Sequence, residues 1–199
     1  MHLPRGARAA RKYLGAPLAA ALLLVLGAFA TPTAAGASGA CAGEHAFPNG
    51  QNSAQLDAAA LCLMNQIRAA HRLPALHHNS SLQRIASGQA SDMVRGHYFG
   101  DQSLTGQSPL TRIMASAYVA HPAAVHLLTA QNIGYGTGPN ATPRGIVLAW
   151  MQSPPHRKII LTAAYRDAGV GVAPSVPSGI VSQRWLGGTY AVEFGTRRR

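Results

Sequence analysis

Thr142-Pro-Arg-Gly-Ile-Val-Leu-Ala-Trp-Met-Gln-Ser-Pro-Pro-His-Arg-Lys-Ile-Ile-Leu161, followed shortly by Gly169-Val-Gly-Val172, is where the pattern of this chain changes period. In the first stretch Ile146, Val147, Trp150 and Met151 recur at helical spacing behind a Thr-Pro start. Ser153-Pro154-Pro155 stops that helix and opens a short one through Ile159 and Ile160. In the second stretch valine alternates with glycine, the pattern of a strand on which another backbone packs closely. Working upstream, Leu56, Ala60, Leu63, Ile67 and Ala70 predict a first helix over Ala54 to His71, with polar Asn65, Gln66 and Arg68 between them. Leu73-Pro74 ends it. A second helix starts near Asn79 or Ser80, both good caps, carries Leu82, Ile85, Gln89 and Met93 on one face, and closes at Gly96. Ser108-Pro109 starts a third, through Ile113 and Ala117. Gln131–Tyr135 is a short candidate strand, and Gly134–Pro143 reads as a loop. Working downstream, Ile180–Trp185 and Tyr190–Phe194 read as two arms of a hairpin across Leu186-Gly187-Gly188, with Tyr190, Val192 and Phe194 on one face. Helices first and strands last predict an α+β domain with an antiparallel sheet.

The composition narrows the chemistry. Of 199 residues 12% are charged and 47% hydrophobic, which is too apolar for a disordered basic protein, although the net charge is +11. The six acids are Glu44, Asp57, Asp92, Asp101, Asp167 and Glu193, no two of them neighbours in sequence. A calcium loop or a two-metal nuclease centre is not expected, and His-Glu-x-x-His is absent. Arg5, Arg8, Arg11 and Lys12 precede an apolar run from Leu14 to Ala30, with Ala35-Gly36-Ala37 as a small-residue exit. That layout predicts a secretory signal peptide over residues 1–37 rather than a retained anchor. Its removal leaves 162 residues with a net charge of +7, since four basic residues and no acid precede Ser38. The expected remainder is an extension over 38–53, a domain over 54–196 and a frayed basic tail at 197–199. No basic run is interleaved with aromatics, so no specific nucleic-acid binding is expected. In an oxidising compartment Cys41 and Cys62, the only cysteines, are expected to join, with a stabilisation of roughly 3 kcal/mol. The alternative is two free thiols, but no charged neighbour lowers the pKa of Cys62.

The order of short motifs is specific. It runs Cys62-Leu-Met-Asn65-x-x-Arg68, Leu73-Pro-x-Leu76, Asp92-Met93 to Tyr98-Phe99, Arg112-Ile113 to Tyr118, and Gln131-Asn132-Ile133-Gly134. Trp150-Met-x-Ser153-Pro-x-His156-Arg157-x-x-Ile160-Leu161 and Gly169-Val-Gly171-Val follow. Together they resemble the bacterial branch of the CAP superfamily, which includes cysteine-rich secretory proteins, venom allergens and pathogenesis-related proteins. The resemblance runs from about Leu56 to Gly195. It implies an extracellular three-layer α-β-α sandwich with a central cleft, which in better-kept relatives presents two histidines and two glutamates able to hold a divalent metal.

Carried onto this chain, the tetrad falls on Asp101, Gln131, Ser153 and His156, so only one histidine is kept. Asn132 and Arg157 are expected to support the cleft. His156 and Asp101 are the candidate ligands for a divalent metal such as zinc, with His97 as a replacement donor. Stable metal binding is not expected, because an amide is a poor ligand and a hydroxyl adds little. Ser153, His156 and Asp101 have the residue types of a catalytic triad, but Ser153 is expected to cap a helix with its hydroxyl on backbone amides. The expected function is therefore a secreted, non-enzymatic binding domain at the cell envelope or outside the cell, without a cofactor, taking a lipid, glycan or peptide. The alternative is a metal-dependent or hydrolytic enzyme using His156 and Asp101.

Overall fold

The computed structural model describes residues 39–119, 126–177 and 186–198. The expected signal peptide and the Ile180–Trp185 arm lie outside the described residues. In chain order the elements are α1 (Ser53–Ala70), β1 (His77–His78), α2 (Ser80–Arg95), α3 (Pro109–Met114), β2 (His126–Thr137), α4 (Pro143–Gln152), α5 (Pro154–Ile160), β3 (Asp167–Ala173) and β4 (Gly187–Arg198).

The strands form one sheet in the order β1-β3-β4-β2. β3 and β2 run antiparallel to β4, whereas β1 pairs parallel with β3 through His77 opposite Asp167 and His78 opposite Ala168. The sheet is therefore mixed rather than wholly antiparallel; β1 is a two-residue strand, too short to show a period. The predicted hairpin is also corrected. Tyr190 lies between Gly134 and Val172, and Phe194 between Ala130 and Ala168, so both edges of Tyr190–Phe194 are occupied by β2 and β3.

Alternation along the strands builds the layers. Ala168, Val170, Val172, Tyr190, Val192 and Phe194 meet Leu56, Leu63 and Met64 of α1, Ile146 and Trp150 of α4, and Ile160 of α5 in the main core. The opposite face presents Ile133, Ala173 and Ala191 to Ala86, Ala90 and Met93 of α2. A Cβ at Gly169 or Gly171 would strike the backbone of Gln83 or Ser87, so the paired glycines let α2 lie directly on β3. The result is the α-β-α sandwich.

Caps set the helix starts. Asn79 Oδ1 accepts from Ser81 N (3.0 Å) and Leu82 N (3.2 Å), Ser108 Oγ from Thr111 N (3.1 Å), and Thr142 Oγ1 from Gly145 N (3.1 Å). α3 stops at Met114, short of the predicted Ala117. Ser116 Oγ donates to Ile113 O (2.7 Å) and accepts from Tyr118 N (3.1 Å), which turns the chain into a 3-10 segment. Cys41 and Cys62 are disulfide-bonded, with Cα atoms 5.9 Å apart. At the other end, Arg197 and Arg198 continue β4 instead of fraying. The Arg197 guanidinium lies 4.4 Å from the centre of the Tyr118 ring and donates to Tyr118 O (3.0 Å).

Arg68, expected between the apolar positions of α1, is fully buried. Its Nε donates to Pro74 O (2.9 Å), Nη1 to Ile160 O (2.6 Å) and Thr162 O (3.0 Å), and Nη2 to Tyr165 O (3.2 Å). Replacing it by methionine leaves four carbonyls short of a donor. Arg68→Met is expected to lower unfolding free energy by roughly 3 kcal/mol or more in urea titrations. Arg68→Lys should recover only part of this, because an ammonium lacks the planar fork.

Candidate functional site

β2 is one edge of the sheet, and an open cleft of about 910 Å3 lies against it. Thr129, Ala130 and Gln131 form one side; Tyr98 to Gln102 and Ser108 to Leu110 form the other. The loop after α2 is held from below. Buried Gln89 donates to Gly100 O (2.8 Å), Tyr98 Oη donates to Asp92 Oδ2 (2.7 Å), and Phe99 stands edge-on to Tyr135 with ring centres 4.8 Å apart. Arg112 closes the loop by donating to Gln107 O (2.7 Å) and Asp101 O (2.9 Å). The Asp101 carboxylate itself is exposed and accepts no hydrogen bond among the described residues.

Two of the four tetrad positions thus share the cleft, Asp101 and Gln131. The other two, Ser153 and His156, are outside its lining and bond each other, Ser153 Oγ to His156 Nδ1, at 2.9 Å. Ser153 occupies the cap position of α5 but makes no side-chain cap bond, against expectation. Pro154 and Pro155, at the first two helical positions, bring no N–H, and the hydroxyl bonds the imidazole of His156 rather than the backbone N–H of that residue. Among the described residues no hydrogen bond joins His156 to Asp101. Asn132, one residue from Gln131, points to the opposite face and donates to His156 O (3.2 Å), so it braces α5. Arg157 is exposed, and its side chain makes no hydrogen bond among the described residues.

Sequence reasoning missed Glu193. It is fully buried opposite Gln131 across the β2–β4 ladder, and Gln131 Nε2 donates to its Oε1 at 2.5 Å. The shortage of acids read from the tetrad positions is therefore partly made up by the neighbouring strand. A signal was available: Glu193 is a charged residue inside the apolar run Tyr-Ala-Val-Glu-Phe. Burial raises its carboxyl to about 7; the Gln131 bond and Arg112 oppose the rise and Asp101 adds to it. Gln131 Oε1, Glu193 Oε2 and Arg112 Nε are buried without a protein partner.

This donor set does not fit a divalent metal. Gln131 offers an amide oxygen, Ser153 and His156 Nδ1 are bonded to each other, and no three His, Cys, Asp or Glu side chains converge among the described residues.

An α-β-α sandwich with a cleft along one sheet edge and the helix-opening Ser-Pro-x-His segment define a CAP-type domain. The chain belongs to the cysteine-rich secretory protein family, whose CAP pattern matches residues 61–183. It is 33% identical over 125 residues to the uncharacterized protein YkwD of Bacillus subtilis (strain 168), covering 63% of this chain and 44% of that protein. The chain thus spans less than half the length of that relative. Among solved structures it is similar to an extracellular SCP-domain protein of Bacillus anthracis (TM-score 0.53, 23% identity, 72% of this chain and 41% of that one). It is also similar to an outer surface protein of Borrelia burgdorferi (TM-score 0.53, 19% identity, 69% of this chain and 90% of that one). At these identities the structural likeness shows the fold.

A carboxyl raised on folding holds its proton more tightly in the folded state. Its contribution is most favourable below the unfolded pKa of about 4.5 and is lost as pH rises toward about 7. Glu193→Gln removes that titration. Relative to the wild type, the variant should gain on the order of 3 kcal/mol between pH 4 and pH 8. Denaturant unfolding at the two pH values checks this, and an unchanged gap would show that Glu193 does not titrate in that window.

Proposed function

We propose that this protein is an exported, non-enzymatic binding domain that acts at the cell envelope or outside the cell and takes an amphipathic lipid, glycan or peptide in its cleft. The observation that carries this is the character of the cleft. Its rim exposes the apolar side chains of Phe99 (40%) and Leu110 (54%), while its wall holds the buried, unpartnered Gln131 Oε1. Apolar rim and convergent polar group are the features of ligand sites, and the predicted signal peptide with a positive remainder suits an anionic envelope. No metal is required in this reading.

A second reading rests on the Ser153–His156 bond, which has the form of a nucleophile and its base. Among the described residues no carboxylate bonds the far nitrogen of the imidazole, the sequence has no nucleophile elbow, and Ser153 lies outside the cleft lining.

Co-sedimentation of the purified protein with envelope fragments separates the two. Binding that survives chelators and Ser153→Ala, and falls at least tenfold in Phe99→Ser/Leu110→Ser, is the expected result. Hydrolysis of short-chain p-nitrophenyl esters that disappears with Ser153→Ala would overturn the non-enzymatic reading.

A further inference from the structure

A second pocket, of about 330 Å3, lies by β1, at the opposite edge of the sheet from the cleft. Ala54, Ala58, Leu61 and Val170 give it apolar walls. Asp57, Gln83 and His78 give it one polar side. Asp57 is 8% exposed although it is a carboxylate on α1. Its Oδ2 accepts from Gln83 Nε2 (2.8 Å), and Gln83 Oε1 in turn accepts from His78 Nε2 (2.7 Å). Its Oδ1 is buried and has no protein partner.

We propose that this pocket is a binding site for a primary ammonium group carried on a short aliphatic chain, with Asp57 as its counter-ion. The chemistry follows from what is missing. A buried carboxylate oxygen without a donor is costly; while the group is ionised a donor entering the pocket relieves that cost, and a cationic donor relieves most. Gln83, itself held by His78, uses up the other oxygen and fixes the carboxylate's orientation, so Oδ1 is the oxygen left without a donor. The walls accommodate methylene groups, and the volume is at the lower end of ligand sites, which excludes a bulky body. Ammonium is favoured over guanidinium, since a single free oxygen does not offer the bidentate acceptor that a guanidinium fork uses.

The charged groups facing Asp57 set the pH response. His78 from β1 favours its ionised form and Gln83 from α2 bonds to that form, while the Tyr190 phenol of β4 is raised by burial first and by the Asp57 charge second. Burial outweighs the first two and raises Asp57 from 3.8 to about 6. Ammonium binding should therefore weaken as pH falls through 6, where Asp57 loses its charge.

The test is amide NMR of the whole protein titrated with n-butylammonium at pH 8, with 1-butanol and butyrate as neutral and anionic controls. Saturable shifts at Ala58, Leu61 and Val170 with butylammonium alone are expected. At pH 5 they should weaken about tenfold. Asp57→Asn keeps an oxygen for Gln83 and should weaken binding at least tenfold at pH 8. Ala58→Met, at an exposed position on the pocket wall, should block entry while leaving Asp57 in place. A merely bracing role for Asp57 predicts no saturable shift in any variant. That result, equal response to 1-butanol, or undiminished binding in Asp57→Asn would each overturn the proposal.

Discussion

The guanidinium of Arg68 is the constraint on which both the helical layer and the far sheet edge depend. It reaches the carbonyl ahead of β1 at Pro74, the last residue of α5 at Ile160, and the chain entering β3 at Thr162 and Tyr165. A helix end leaves carbonyls without intrahelical donors and with partial negative charge, so a buried cation there replaces both the donors and the countercharge. This explains how an arginine is buried without a carboxylate. Burial, with Arg166 nearby, pushes its pKa down, but an arginine remains charged in any physiological range. By fixing Pro74 and Tyr165 together, Arg68 sets β1 beside β3 in the parallel sense that no strand pattern announced.

The second constraint is alternation in β2. Gln131 and Asn132 are neighbours in one motif, yet the pleat sends them to opposite faces. Gln131 goes to the cleft and to Glu193; Asn132 goes to the carbonyl of His156. One strand therefore positions the cleft wall and the helix carrying His156 at once. The Ser153–His156 bond takes the hydroxyl that would otherwise cap α5.

Much of the fold was legible because its signals are local. Asn79, Ser108 and Thr142 each start a helix with the bond their side chains suggest, and the Gly169/Gly171 pair marks where α2 touches β3. Long-range pairing was not legible. A glycine-bordered run before Tyr190 looks like a hairpin partner, whereas the true partners of β4 are separated from it by a long connection and, for β2, by two helices. The site was half legible for the same reason. Motif positions located Asp101, Gln131, Ser153 and His156, but which of them share the cleft, and that Glu193 backs Gln131, depends on register across strands. The burial of Arg68 was hidden because a helical period distinguishes faces, not whether a polar residue between them finds carbonyls to satisfy it.

Six acids serve this chain, and two of them are buried with an oxygen left unpaired among the described residues. Asp57 lines the pocket at the β1 edge and Glu193 lies on the inner strand β4 behind Gln131 of the cleft, and each is bonded to one glutamine amide, Gln83 or Gln131. Burial raises both carboxyls, to about 6 and about 7, so each is a net cost to folding near neutral pH. A glutamine partner satisfies one oxygen without neutralising the charge, which an arginine or lysine would do. Both arrangements therefore preserve an acceptor that is oriented, poorly solvated and able to exchange its proton close to neutrality. Such a group gains most from any partner that brings a donor, which is why its burial without one is the costliest polar feature of each place.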